Sequence, residues 1–340
     1  MTETVRHTSS PETVPARLPR PSPWRRAVLA SEIIGILAPV IIVAVAMSIL
    51  FPGFARPFNV NALLSTIAVT ALVGLAQSSV LAVGQFNLAL PAMGAFAGMV
   101  LGWLLQVAGV NWILAVFLAL VFSVILGALQ GLFVVALRLN AFIVTLGLAS
   151  AYYGVMYVVL GNERYQHLGT ALPVIGRGAI GVVPNIFFIS MAVCLAVGIF
   201  VGLTVPGRRL LATGANAIAA RFSALPVDRT VIGAHALSGA LGGAAAILLV
   251  GRLAVGSPAI GEDWLLTSFA APVLGGTLLS GGKISVVGTV LGAALLAMIA
   301  NALVIVGVSQ YWYQAGLGVI ILGAVSLDQL RLKLLTSGRL

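Results

Sequence analysis

A chain of 340 residues of which 60% are hydrophobic and only 8% charged is far from a water-soluble domain, where roughly a quarter of residues carry charge. Its formal net charge of +10 does not point to nucleic acid, because the basic residues are scattered through loops and tails between apolar runs, as membrane topology requires. A single cysteine, Cys194, lies inside an apolar run and excludes an internal disulfide framework or a cysteine-based metal site.

The chain opens on Met1–Arg26, rich in Pro, Ser, Thr and Arg, with too few large apolar groups to fold alone. Residues 1–30 are expected to form a disordered cytoplasmic tail. A cleaved signal peptide is the competing reading, but the next apolar run is long and lacks a small-residue cleavage site ahead of the following span, which favours a retained first helix. From Arg56 to Arg138 no Asp, Glu, Lys or Arg intervenes, enough chain for about three or four bilayer crossings.

Apolar runs punctuated by Pro, Gly, Asn or charge predict helices near Ile33–Leu50, Leu63–Val83, Leu88–Val107, Trp112–Leu137 and Phe142–Leu160. Five more are predicted near Ile186–Val205, Val231–Val250, Leu265–Leu279, Val286–Val306 and Tyr311–Leu327. The expected fold class is therefore all-α, a polytopic transmembrane helical bundle of about ten helices over residues 31–328, with a short cytoplasmic tail at 329–340. Basic residues check the orientation, since Lys and Arg gather on the cytoplasmic side. With ten crossings, the N-terminal arginines, Arg138, the group Arg208, Arg209, Arg221 and Arg229, and the C-terminal Arg331, Lys333 and Arg339 all fall inside. An odd number of helices would break that parity.

The longest inner hydrophilic stretch is Pro206–Thr230. Within it Asn216–Phe222 suits a short helix, with Gly214 and Asn216 as cap positions and Pro226 beyond its end. A basic cytoplasmic helix near 212–223, about two turns long, is a good shape for docking onto a partner protein. The outer loop Gly251–Asp263 ends in two adjacent acids, Glu262 and Asp263. These are read either as a docking point for a basic partner or as acids placed at the positive end of the next helix.

Four segments carry a family resemblance: GQFNLAL at Gly84–Leu90, LNAFIVTLGLA at Leu139–Ala149, GRRLLATGANAIAARFSALPV from Gly207, and APVLGGTLLSGGKISVVGTVLGA at Ala271–Ala293. In this order and spacing the chain resembles the ribose-type permease subunits of bacterial ABC importers, within the branched-chain amino acid and monosaccharide permease family. The resemblance implies a non-enzymatic transport subunit in the bacterial inner membrane, N and C termini cytoplasmic, importing a small polar solute such as a monosaccharide. It also implies partners: cytoplasmic ABC ATPase subunits, a periplasmic solute-binding protein, and a second permease in a homodimer or heterodimer. No cofactor and no metal are expected. The chain has no phosphate loop of its own, for Thr277 stands where the leading Gly would be and Ile284 where Ser or Thr would bind magnesium.

By the same resemblance, Gly214, Asn216, Ala219, Ala220, Arg221 and Phe222 match the segment that contacts the ATPase. An ordinary positive-inside loop is the plainer reading. Gln85, Asn87, Asn140, Thr145, Gly275 and Gly276 are candidates for the translocation path, and Glu262 and Asp263 for docking the binding protein. Related permeases usually carry an acid where this chain has Asn87, so a charge is removed while hydrogen-bonding capacity is kept. Asn87 either caps the helix beginning near Leu88 or touches the solute path. The glycines from Gly275 to Gly292 form a break between apolar stretches, placed near the path or the dimer axis, or explained by tight packing. For Gly94, Gly98 and Gly102, and for Gly127 and Gly131, packing alone is sufficient. Further polar candidates within spans are Gln77, Gln130, His235 and Asn301. A branched-chain amino acid permease shares this layout. An ion-coupled transporter would need ionisable residues buried at mid-membrane, and acids here fall at loops or helix ends. A membrane-embedded enzyme would need a catalytic constellation, and none is visible.

Overall fold

The computed structural model describes residues 32–307 and a few positions between 309 and 319. The expected tails at 1–30 and 329–340, and most of the expected helix at Tyr311–Leu327, lie outside the described residues. The described part is helical apart from one two-stranded antiparallel hairpin, β1 (Ala179–Ile180) with β2 (Val183–Pro184).

In chain order the helices are α1 (Glu32–Leu50), α2 (Pro57–Leu81), α3 (Leu90–Gln106), α4 (Trp112–Leu137), α5 (Ala141–Leu160), α6 (Ala171–Arg177) and α7 (Asn185–Leu203). They continue as α8 (Val205–Ala215), α9 (Ala217–Phe222), α10 (Val227–Leu253), α11 (Trp264–Leu274) and α12 (Val286–Val306). Six of them, α2, α4, α5, α7, α10 and α12, are long and apolar enough to cross a membrane. Helix ends follow local chemistry. Asn111 and Asn140 accept from the amides of Ile113 and Phe142 at the starts of α4 and α5, which satisfies orphan donors at the first turn. Gly307, at φ +79°, closes α12, in the left-handed conformation favoured after a helix.

The predicted and observed spans agree for α4 and α12 and nearly so for α1, α3, α5 and α7. Three differences carry information. Helix α10 is longer at both ends than the predicted Val231–Val250, because the turn after Pro226 and Arg252 belong to it. Helix α11 stops at Leu274, five residues short of the predicted Leu279, where Gly275 and Gly276 follow and Gly276 takes φ +81°. The segment expected on the cytoplasmic side is two helices: Thr204 alone separates α8 from α7, accepting from the Gly207 amide, with Pro206 in the first turn of α8.

Helix α10 is the axis of the bundle. It packs along α4, α2 and α3, and 61% of its most apolar window is buried, against 17% for α5. Its contact with α4 is made by glycines: a Cβ on Gly127 would fall 2.2 Å from the His235 carbonyl oxygen, and one on Gly239 would fall 2.3 Å from that of Ser123. Backbones approach this closely in lipid through small residues because dispersion contacts take the place of the hydrophobic effect. The Ser123 hydroxyl then donates to the Gly239 carbonyl at 2.7 Å. On α3 the ring of Trp264 covers Gly94 and that of Tyr165 covers Gly102, so both glycine faces singled out in the sequence are packing surfaces.

Candidate functional site

Between α2 and α3 the chain is irregular from Ala82 to Ala89. Ser238, which meets this segment, lies eleven residues into α10, about 16 Å along its axis. Non-helical backbone at such depth must find partners inside the protein, and here side chains supply them. The Gln77 amide pairs with the main chain of Asn87 in both directions, its nitrogen donating to the carbonyl at 3.0 Å and its oxygen accepting from the N–H at 3.2 Å. The Asn87 side chain donates to Ser238 Oγ at 3.0 Å and accepts from the Ala89 amide at 3.0 Å. Thr145 Oγ1 accepts from the Leu88 amide at 3.1 Å and donates to the Ala141 carbonyl at 2.7 Å. Gln85 Oε1 lies 3.0 Å from His235 Nε2, which places the ring hydrogen on Nε2.

Asn87, Gln77, Thr145 and His235 are fully buried. Asn87 therefore holds the break and starts α3 through the Ala89 amide. An amide fits that position because it donates and accepts at once, while a carboxylate would bring a buried charge. Asn140 stands apart, at the exposed start of α5. Two polar atoms near this lattice have no partner among the described residues, Gln130 Oε1 and His235 Nδ1.

At the lower edge of the lattice three segments meet backbone to backbone. A Cβ on Gly214, at the end of α8, would lie 1.7 Å from the Ala82 carbonyl oxygen. That same oxygen accepts from the Gly282 amide at 2.9 Å. Gly84, Gly281 and Gly282 all have φ between +72° and +93°, and a Cβ on Gly281 would fall 2.8 Å from both Gly84 N and Gly214 O. Gly214 thus belongs to a junction joining α8 to the α2–α3 break and to the loop after α11. Gly275 packs against Gly288 at the start of α12, away from this contact.

Helix α9 follows at once. Asn216 caps it, accepting from the Ala219 amide at 2.9 Å. Ala220 is buried against Val134, Val144 and Val231, so it anchors the helix and does not face outward. Arg221 is engaged with Asp228 on α10 at 2.5 Å, both side chains more than half exposed. The outward groups are Phe222 at 89% exposure and Ile218 at 70%. Ile218 was not singled out in the sequence; its place four residues before Phe222, on one face of a capped helix, is the signal that could have found it.

On the opposite face the two adjacent acids separate. Glu262 lines a surface pocket of about 450 Å³ with Tyr153, Tyr157, Asn162 and Arg164. Asp263 lines a different groove of about 250 Å³ between α2, α11 and α12, with Thr66, Thr70, Thr267 and Asn301. Asn301 and Asn59 bond reciprocally across α12 and α2 at 2.8 and 3.0 Å. Behind this region Arg177 donates from Nε and a terminal nitrogen to the carbonyls of Arg252 and Leu253, closing the C-terminal end of α10 with a cation.

Residues 59–325 match the family described as branched-chain amino acid transport system / permease component. Among curated proteins, the chain is 32% identical over 297 residues to the ribose import permease protein of Escherichia coli (strain K12), covering 86% of this chain and 92% of that protein. It is 30% identical over 290 residues to the ribose import permease protein of Bacillus subtilis (strain 168), covering 85% and 90%. It is 28% identical over 301 residues to the L-arabinose transport system permease protein of Escherichia coli (strain K12), covering 88% and 91%. No solved structure matches. With a family match over most of its length and apolar helices long enough to span a bilayer, this chain is a multi-pass membrane protein that belongs to the branched-chain amino acid transport system / permease component family.

Proposed function

We propose that the chain is the membrane-spanning subunit of an ATP-driven importer that moves a small sugar handed to it by a binding protein outside the membrane, with ATP hydrolysed on separate cytoplasmic subunits. The observation that carries this reading is α9: a short capped helix, anchored inward through Ala220, whose Ile218 and Phe222 are left uncovered by the other described residues. Two exposed apolar side chains on a rigid surface helix are what a protein partner buries. The glycine junction links the end of α8 directly to the broken segments at Ala82–Ala89 and Gly275–Ser285, so a push on α9 has a short route to both. The sugar cargo is supported by the names of the relatives, a ribose import permease and an L-arabinose transport system permease.

In this scheme the face with α9 and both termini is cytoplasmic, consistent with its arginines. Gln85, Asn87 and Thr145 fix the wall of the path, and Asn140, Gly275 and Gly276 shape the helix starts and ends beside it. Glu262, beside Arg164 and two tyrosines, faces the incoming binding protein, and a second permease subunit completes the assembly.

The test is reconstitution of the chain with the ABC ATPase and the binding protein that co-purify with it, followed by uptake of labelled ribose, arabinose and leucine. ATP-dependent uptake of a pentose, abolished in a doubly substituted Ile218→Ser, Phe222→Ser protein that stays in the membrane, is the expected result. Leucine uptake in place of sugar would reassign the cargo. Unchanged coupling in the double variant would refute the role of α9.

A further inference from the structure

The exposed surface of the bundle is not uniform. On α4 the exposed side chains at span depth are apolar, among them Phe117, Leu118, Val121, Ile125 and Leu129, the composition that lipid requires. The groove between α2, α11 and α12 is different: Thr66 and Asp263 are exposed, Thr70 and Asn301 partly so. Thr66 and Thr70 lie nine and thirteen residues into the 25-residue α2, about 14 and 20 Å along a helix of about 37 Å, well within the hydrocarbon depth. A carboxyl and an amide opening onto acyl chains would be costly to insert. Thr66 returns its hydroxyl hydrogen to the Ala62 carbonyl, and Thr267 to that of Asp263, so both oxygens still offer lone pairs to the groove.

We propose that this groove is one wall of the solute path, with Thr66, Thr70 and Thr267 as weak hydrogen-bonding partners for a neutral polyhydroxylated solute and Asp263 at its outer mouth. The proposal rests on the importer reading above, whose second permease subunit closes the open side. The Thr66 and Thr267 oxygens accept while their hydrogens stay on main-chain carbonyls, which suits the hydroxyl hydrogens of a sugar. A path built from such groups binds loosely, and loose binding is what lets a solute leave. The proposal also separates the adjacent acids by task, Glu262 toward the docked protein and Asp263 toward the solute.

Cys194 is the chain's one cysteine and is buried, so a Cys194→Ala background admits single probes. Thr66→Cys and Thr70→Cys, with Phe117→Cys and Ile125→Cys as lipid-facing controls, are placed in the full chain in cell membranes and exposed to a charged, water-soluble thiosulfonate. The thiolate attacks the reagent's sulfur, forming a mixed disulfide and expelling sulfinate; because the thiolate forms in water and not in hydrocarbon, the two groove positions should react roughly tenfold or more faster than the controls. Modification at Thr70→Cys should also block uptake by the assembled importer, while modification of the controls leaves it intact. Groove cysteines as inert as the controls mean lipid or protein fills the groove and overturn the proposal; labelling without loss of uptake overturns it equally. Labelling needs neither ATPase nor solute, so a wild-type complex that fails to take up sugar would sink the importer reading and leave the water access of the groove measured.

Discussion

Two polar regions of the same bundle use similar side chains to opposite ends. The lattice around Asn87 is buried, and its amides and hydroxyls are spent on main-chain groups of the α2–α3 break and on Ser238. The groove around Thr66 is open, and its amide Asn301 is tied to Asn59 while its carboxyl faces out. Polarity inside a span thus says little by itself. Whether a group is satisfied by its own chain decides between scaffold and solute contact.

The sharpest way to break the comparison is at the edge of the lattice. Gly214→Ala would put a methyl group into the Ala82 carbonyl, and because backbone and not a flexible side chain opposes it, overpacking should cost about 1–3 kcal/mol or more. The expected outcome is a lowered melting temperature in detergent and loss of ATP-dependent uptake; a wild-type melting curve would show that the junction is loose. Asn87→Leu comes next. It strands the Ala89 amide and the Ser238 hydroxyl, each worth about 1–3 kcal/mol when buried without a partner, and should destabilise the protein before any solute is added. Asn87→Asp should recover part of that loss, since the acceptor for Ala89 remains.

In the groove the order of effects should reverse. Thr66→Val keeps shape at an exposed site and should shift stability by no more than about 0.5 kcal/mol. Its uptake rate at limiting solute should fall several-fold, about the worth of one hydrogen bond. A stability loss as large as that of Asn87→Leu would erase the distinction between the two regions. The smallest effect is expected outside both: Arg221→Ala removes an ion pair whose members are more than half exposed, worth about 0–1 kcal/mol, and the melting temperature should barely move.

Much of the fold was legible in the sequence. Long apolar runs bounded by Asn111, Asn140, Ser285 and Gly307 placed α4, α5 and α12 within a residue, because a bilayer needs helices of a set length and caps mark their ends. The glycine faces on α3 and α4 were legible as packing surfaces for the same reason. Helix α8 was not, since its polar composition reads as loop and only Thr204 with Pro206 signals its start. Of the site, Asn216–Phe222 was legible as a short helix with its Asn216 cap, but Gly214, read as a second cap position, lies in α8, and which side chains face out was not legible.

Composition and hydrophobic periodicity alone determined that this protein lives in lipid as an all-α bundle, because no soluble core could bury so much apolar surface with so few charges. Only the tertiary structure decided that Ala220 points inward while Ile218 and Phe222 point outward, that Asn87 is fully satisfied, and that Glu262 and Asp263 part company. Those outcomes depend on which neighbours from residues a hundred or more positions away complete each hydrogen bond, as Ser238 does for Asn87 and Asn301 for Asn59. Local sequence fixes what a side chain is able to bond; the packing of distant helices fixes whether anything is left for it to bond.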